Sequence, residues 1–275
     1  MPGAVYRHHH HLHSEHRRRR RRQNRIVGGC LLFVGLAFML FVLLVVFAPD
    51  VYRRFVTAAS YRLGLRTVVV DRHQILDYDG IDVSHHQGII SWERVAADTA
   101  VKFVYIKATE GSTIVDPRYA YNLHGARKAG LKVGSYHYLT STSPILSQFC
   151  NFRRQADPAC QDLIPMLDIE AEGLRGWNRQ QLQDSIAAFI ALTVRHYGKP
   201  PLLYSYARFY NENLAPRFNR YPLFIARYSS LAPIVHGAGC HHLWQHSDQG
   251  VVDGIPTSVD LDFLGDDTEV EDLLL

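Results

Sequence analysis

The chain has 275 residues, of which 47% are hydrophobic and 20% are charged, and its formal net charge is +4. This length and apolar content support one large folded domain or two small ones, and exclude a mostly disordered chain, a collagen-like repeat and a disulfide-dense miniprotein. The charge is unevenly distributed. Residues 1–25 hold eight arginines against one acid, whereas the part from Gly80 onward holds 17 basic and 21 acidic side chains. The basic excess therefore belongs to a tail, and the body of the protein is acidic.

The tail is rich in histidine as well as arginine. Its six histidines between residues 8 and 16 could bind a metal, belong to a purification tag, or lie in a solvated tail without fixed structure. The six consecutive arginines at 17–22 could contact nucleic acid, but they directly precede an apolar segment, which favours a role at the membrane surface. We therefore predict no nucleic-acid partner.

An unbroken apolar run occupies residues 26–48. As a helix at about 1.5 Å per residue, a run of this length reaches roughly 34 Å, which is enough to cross a bilayer. A cleaved signal peptide would have a shorter apolar region and a clearer cleavage site. Because arginines precede the run, the positive-inside rule places the N-terminus in the cytoplasm. The sequence predicts a single-pass protein of the cytoplasmic (inner) membrane, with a juxtamembrane stem at 49–79 and a periplasmic or otherwise extracytoplasmic domain at 80–275.

In that domain, short apolar strands alternate with amphipathic helices, a pattern typical of α/β proteins with parallel strands. Strands are expected at 81–83, 102–107, 133–138, 163–170, 202–205, 223–226, 242–245 and 259–263. Helices are expected at about 92–97, from an N-cap at Asp116 to a point just before Gly130, and from about Asn178 to Tyr197. Eight strands in about 195 residues predict an irregular barrel, since a complete eightfold β/α barrel needs a longer chain.

Acidic residues stand on three of these apolar strands. Asp168 and Glu170 are two positions apart, so both side chains project to the same face of the strand. Two neighbouring carboxyls near apolar surface leave one protonated beside an ionised partner, which is what glycoside hydrolysis requires. Asp82 lies on the first strand and Asp260 on the last, and these strands are neighbours in a closed barrel. We expect all four acids to meet at the mouth of the barrel.

The segments around these acids resemble glycoside hydrolase family 25, the Chalaropsis-type lysozymes, over about residues 80–266. The matching segments, in the order of the family, are GIDVSHHQG (80–88), YIKATEG (105–111), GSYHY (134–138), LDIE (167–170), WQ (244–245) and VDLD (259–262). The resemblance implies an irregular TIM-like (β/α)5(β)3 barrel. It also implies N-acetylmuramidase activity, which cleaves the β-1,4 bond between N-acetylmuramic acid and N-acetylglucosamine in peptidoglycan.

The same resemblance assigns roles to the four acids. Glu170 matches the general acid/base, and Asp168 matches the carboxylate that positions the substrate acetamido group and stabilises an oxazolinium-like intermediate. Asp82 and Asp260 match two aspartates that orient this pair and tune its protonation. The sequence departs from the common pattern in the groove, where His86 replaces a frequent Trp, His246 a frequent Tyr, and Asp262 a frequent Asn.

Four further residues near the expected mouth are candidates for substrate binding: Tyr136, Tyr138, Trp244 and Gln245. Sugar rings stack on such aromatic faces, although a place in the core explains each aromatic residue as well. The runner-up enzyme class is a chitinase-like hydrolase, but Ile164 and Met166 stand where that class favours further aspartates. A catalytically silent peptidoglycan-binding envelope protein on the same barrel is the alternative from another class.

The cysteines and histidines suggest no cofactor. Cys150 and Cys160 flank a polar turn, so a local disulfide and two free thiols are both compatible with the sequence. The histidines near Cys240 resemble a metal site only superficially, because strand alternation divides them between two faces. We predict no metal site in the domain at 80–275 and no cofactor, and no Gly-rich phosphate loop is present. The sequence does not decide whether the histidines of the tail bind a metal.

Overall fold

The structure, a computed structural model, describes residues 77–275 and, before them, Met39 alone. The predicted tail, the predicted membrane span apart from Met39, and nearly all of the predicted stem lie outside the described residues. In the part of the chain that is described, no helix is long and apolar enough to cross a membrane.

Within residues 77–275 the chain forms nine strands and five α-helices. In chain order they are β1 (Gly80–Val83), α1 (Trp92–Val95), β2 (Phe103–Glu110), β3 (Ile114–Val115), α2 (Tyr119–Lys128), β4 (Lys132–Tyr138), α3 (Ile145–Gln155), β5 (Met166–Asp168), α4 (Arg179–Tyr197), β6 (Leu202–Tyr206), α5 (Ala207–Asn213), β7 (Leu223–Ala226), β8 (Leu243–Gly250) and β9 (Val259–Leu264). Five strand–helix units are thus followed by three strands, which confirms the predicted barrel.

The sheet closes because β1 pairs with both β2 and β9. The strands from β1 through β2 and β4 to β8 are parallel, whereas β9 runs antiparallel to both of its neighbours. The short β3 pairs only with β2 and stays outside the ring. Parallel strands bring their carboxyl ends to one rim, so the residues that end β1 and β5 are neighbours in space.

Alternation along β2 separates two hydrophobic cores. Phe103 and Tyr105 belong to the cluster inside the barrel, whereas Val104 and Ile106 pack against the surrounding helices. Gly134 is opposite Tyr105 in the register of β4 and β2, and a Cβ at that position would overlap the tyrosine ring. The end of the barrel where the parallel strands begin is therefore filled with aromatic side chains. The site is left to the other end, where the carboxyl ends of these strands meet.

Two helices, α3 and α5, were not predicted, and one predicted helix start was wrong. Asp116 is not the N-cap residue of α2, which begins at Tyr119 after the N-cap residue Arg118. The buried Asp116 carboxylate accepts a hydrogen bond from the backbone N–H of Arg118 at 2.8 Å, and it also accepts from the backbone N–H of His85 at 3.0 Å and from its ring nitrogen Nδ1 at 2.7 Å. The carboxylate thus ties the loop after β1 to the chain that follows β3.

The disulfide between Cys150 and Cys160 is not formed, and Cys240 is also a free thiol. Cys150 lies within α3, whereas Cys160 ends a 3-10 turn that begins at Pro158. Arg127 of α2 donates a hydrogen bond to the carbonyl of Ala159 in this turn, at 3.4 Å. The turn therefore packs against α2.

Candidate active site

The carboxyl ends of the parallel strands surround a cavity of about 150 Å³. All four predicted acids line it, together with six uncharged residues: Asp82, Asp168, Glu170, Asp260, Tyr136, Met166, Tyr204, Tyr206, Tyr228 and Gln245. A larger cavity of about 530 Å³ beside α2 contains no carboxylate in its lining. The convergence of acids, rather than cavity size, therefore identifies the candidate site, which lies at the end of the barrel where β/α barrels carry their active sites.

The end of β5 presents two carboxyls to this cavity. Strand β5 ends at Asp168, and the alternation continues for two more residues. Ile169 is fully buried in the core between sheet and helices, while Asp168 and Glu170 both line the cavity. The predicted projection of these two acids to one side is thus confirmed.

The other two acids come from the seam where the barrel closes. Asp82 of β1 and Asp260 of β9 are directly opposite each other in the antiparallel register. Gln245 of β8 donates from Nε2 to the Asp82 carboxylate at 2.6 Å. Its Oε1 accepts hydrogen bonds from the hydroxyls of Tyr204 and Tyr228, at 2.8 and 3.0 Å.

Burial raises the pKa of Glu170 to about 7, and the charges of Glu172 and Asp82 add to this effect. A large fraction of Glu170 therefore carries a proton near neutral pH and can donate it. The pKa of Asp168 also rises well above its ordinary value, because the residue is buried and Glu170 is close. Lys107 lowers the pKa of both groups.

The acids of β9 hold their protons more firmly than Asp82. Burial and the charge of Asp82 raise the pKa of Asp260 to about 9, whereas burial, opposed by the hydrogen bond from Gln245, raises that of Asp82 to about 6. Asp262 is fully buried, and burial raises its pKa well above the ordinary value. Of Asp82 and Asp260, which face each other, Asp82 therefore ionises first as the pH rises.

The predicted substrate-binding residues occupy different places. Tyr136 and Gln245 line the cavity. Tyr138 lies outside the lining, and its ring faces the ammonium of Lys107 at 4.8 Å. Trp244 points away from the cavity, since its indole N–H donates to the carbonyl of Arg227 at 2.8 Å. Trp244 does not line this cavity, because Trp244 and Gln245 are consecutive on a strand and face opposite sides. Its role in substrate binding stays a prediction.

Three tyrosines of the cavity were missed in the sequence. Tyr204 and Tyr206 belong to β6 and are two positions apart, and the hydroxyl of Tyr206 is 3.0 Å from that of Tyr228. The alternation in Leu202 to Tyr206 could have indicated the first two. Tyr228 follows β7 in a loop, where no periodicity points to it.

Replacement of Lys107 by Met is expected to move the pH profile of kcat/KM to higher pH by about one unit. The ammonium forms an ion pair with Glu110 at 2.8 Å and lowers the pKa of both Asp168 and Glu170. Without it both pKa values rise, so Asp168 ionises later and Glu170 keeps its proton longer. Activity at neutral pH should fall and recover as the pH is raised.

A matched control is Lys102→Met. Lys102 precedes β2 at the opposite end of the barrel and pairs with Asp79 at 2.6 Å on the surface. This variant should keep the pH profile of the parent. Equal pH profiles for the Lys107 variant and the parent would show that Lys107 does not lower the pKa of Asp168 and Glu170.

A closed β/α barrel that holds two neighbouring carboxyls in one cavity has the arrangement of acids that glycoside hydrolysis requires. Residues 81–255 match the model of glycosyl hydrolases family 25, and the chain belongs to this family. It is 38% identical over 197 residues to the uncharacterized protein YegX of Escherichia coli O157:H7, covering 70% of this chain and 71% of that protein. It is 34% identical to the autolytic lysozyme of Clostridium acetobutylicum, covering 66% of this chain and 54% of that one.

Solved structures give the same assignment. The bacterial lysozyme from Streptomyces coelicolor superposes with a TM-score of 0.63 at 29% identity, over 70% of this chain and 93% of that one. A family 25 glycosyl hydrolase from Bacillus anthracis superposes with a TM-score of 0.65 at 27% identity, over 74% and 97% of the two chains. The barrel described here is therefore close to the whole of each of these proteins.

Proposed function

We propose that the protein is a peptidoglycan N-acetylmuramidase that cleaves the β-1,4 bond between N-acetylmuramic acid and N-acetylglucosamine. The observation that carries this proposal is the placement of Asp168 and Glu170 in one cavity, with the pKa of Glu170 raised to about 7. The similarity to the lysozymes of Clostridium acetobutylicum and Streptomyces coelicolor supports the choice of substrate.

In the proposed reaction Glu170 donates its proton to the glycosidic oxygen as the bond to C1 breaks. The acetamido oxygen of the muramic acid attacks C1 and forms a cyclic oxazolinium ion. Water then opens this ring while Glu170, now ionised, takes a proton from the water, and the sugar regains its acetamido group. No carboxylate of the protein needs to bond to C1, as in the substrate-assisted exceptions to the two-carboxylate scheme.

Asp168 lies where such a reaction needs an anion. Because burial and Glu170 raise its pKa in the free site, it would ionise when the substrate supplies a hydrogen-bond donor. It is only 7% exposed, and its Oδ1 has no hydrogen-bond partner among the described residues. A buried carboxylate oxygen without a donor is costly. An acetamide N–H of the substrate would supply that donor, and the anion would in turn stabilise the positive charge that develops on the oxazolinium ring.

The experiment that tests the function is digestion of purified peptidoglycan by the full chain. Muramidase cleavage should release muropeptides with reducing N-acetylmuramic acid ends, which are identified by borohydride reduction and mass spectrometry. Reducing N-acetylglucosamine ends would identify a different glycosidase. Binding to peptidoglycan without release of fragments would indicate the silent binding protein instead.

We also propose that residues 26–48 anchor the enzyme in the cytoplasmic membrane, with the N-terminus inside and the barrel outside. The support is the uncharged apolar run behind a block of arginines. The full chain should stay in the membrane fraction in high salt and at alkaline pH, and protease added to spheroplasts should degrade the barrel. A chain that washes off the membrane, or a barrel protected from protease, would contradict the anchor or its orientation.

A further inference from the structure

Three aspartates lie on the part of the barrel wall formed by β1 and β9: Asp82, Asp260 and Asp262. Their hydrogen bonding is unequal. Asp82 receives the Nε2–H of Gln245 at 2.6 Å. Both oxygens of Asp262 are without any partner among the described residues, although this side chain is fully buried. An ionised carboxylate in such a place is costly without a donor.

We infer that Gln245 is a positioning residue that fixes the negative charge of the β1–β9 wall on Asp82 and, through Asp82, keeps Glu170 protonated. The inference rests on the proposed function for its effect on catalysis. The placement of the charge itself follows from the hydrogen bonds and holds whether or not the protein turns over.

The orientation of the Gln245 amide is determined from both ends. An ionised Asp82 can only accept, so the amide nitrogen must face it. The amide oxygen accepts from the hydroxyls of Tyr204 and Tyr228, and Tyr228 is in turn 3.0 Å from the hydroxyl of Tyr206. If the amide turned over, its nitrogen would face the two hydroxyls, which can also accept, but its oxygen would face Asp82, which could then donate only as the neutral acid. The observed orientation is therefore the one that suits an ionised Asp82.

Charged and titratable groups face this part of the cavity from several strands. They are Asp260 and Asp262 of β9, Asp168 and Glu170 at the end of β5, Lys107 of β2, Tyr136 of β4 and Tyr204 of β6. The negative charge of Asp82 raises the pKa of Glu170, while Lys107 lowers it. A neutral Asp82 would therefore lower the pKa of the proposed proton donor.

The test is a ¹³C NMR titration of the Asp and Glu side-chain carboxyls in the full chain and in Gln245→Leu. Spectra of Asp82→Asn and Glu170→Gln assign the two signals. We expect the Asp82 titration to move upward by about one pH unit in the leucine variant, which lacks the donor, and the Glu170 titration to move downward. Unchanged titrations, or a Glu170 titration that moves upward, would overturn the inference.

Two further variants make the result specific. Tyr228→Phe removes one donor to the amide oxygen but leaves the bond from Nε2 to Asp82, so the Asp82 titration should stay in place. Gln245→Glu keeps the shape of the side chain, and its new carboxyl should raise the Asp82 titration further. If Gln245→Leu does not fold, an unmoved Asp82 titration in Gln245→Glu overturns the inference.

The titration does not depend on turnover, so it separates the two proposals. If the chain releases no muropeptides but shows the expected shifts, the role inferred for Gln245 stands and the muramidase assignment is wrong. In an active chain, the alkaline limb of the kcat/KM profile should move to lower pH in Gln245→Leu. A residue with only a structural role would lower kcat/KM at every pH and leave this limb where it is.

Discussion

Replacement of Glu170 by Gln is expected to lower kcat on peptidoglycan by about 10²-fold to 10⁴-fold, the range of general acid catalysis. The amide has nearly the shape of the carboxyl but cannot give a proton to the glycosidic oxygen. Since the proton matters in the transition state more than in binding, KM should change little. The rate of muropeptide release at several substrate concentrations measures both constants.

The matched control is Glu172→Gln, the same chemical change two residues further along. Glu172 is exposed, and its charge raises the pKa of Glu170 from outside the cavity. This variant should keep most of kcat, with an alkaline limb at slightly lower pH. An aryl glycoside whose leaving group needs no proton should restore much of the rate of Glu170→Gln. Full activity of Glu170→Gln on peptidoglycan would exclude Glu170 as the acid.

The architecture and the four acids could be predicted because the relevant signals are local. Asp82, Asp168 and Asp260 each interrupt an apolar strand, where an acid is costly unless it has a task. Closure of the barrel then brings β1 and β9 together, which places Asp82 opposite Asp260. Strand order and period-two alternation were sufficient for this part of the site.

The features that were missed depend on contacts that form only in three dimensions. Helix α3 begins after Pro144 without a side-chain cap, and its buried face includes Phe149 and Phe152. Asp116 has the sequence context of a helix cap and accepts from the N–H of Arg118, but its carboxylate also binds His85, 31 residues away. Tyr228 reaches the cavity from a loop, through a hydrogen bond to Gln245. Such partners cannot be identified from the neighbours of a residue in the sequence.

Replacement of Asp168 by Asn is expected to lower kcat by about 10²-fold to 10³-fold, the effect of removing one preorganised electrostatic group from an active site. The asparagine fits the same space and can still accept an N–H through its oxygen, so KM should stay within a small factor of the parent value. What is lost is the negative charge beside the developing oxazolinium ion. Steady-state rates of muropeptide release measure the effect, and Asp184→Asn on the exposed surface of α4 serves as the control.

A loss in Asp168→Asn alone does not show whether Asp168 stabilises the ring or attacks C1 itself, and the substrate separates these roles. Glycan strands whose muramic acid lacks the N-acetyl group have no internal nucleophile. If the acetamido oxygen attacks C1, the parent enzyme should cleave them at least about 10²-fold more slowly, since an oriented internal nucleophile is worth that much or more. If Asp168 is the nucleophile, these strands should still be cleaved and a glycosyl ester should accumulate on Asp168, detectable by mass spectrometry of the intact chain. The Oδ1 of Asp168 has no donor among residues 77–275, which favours the first result, because an acetamide N–H could supply that donor.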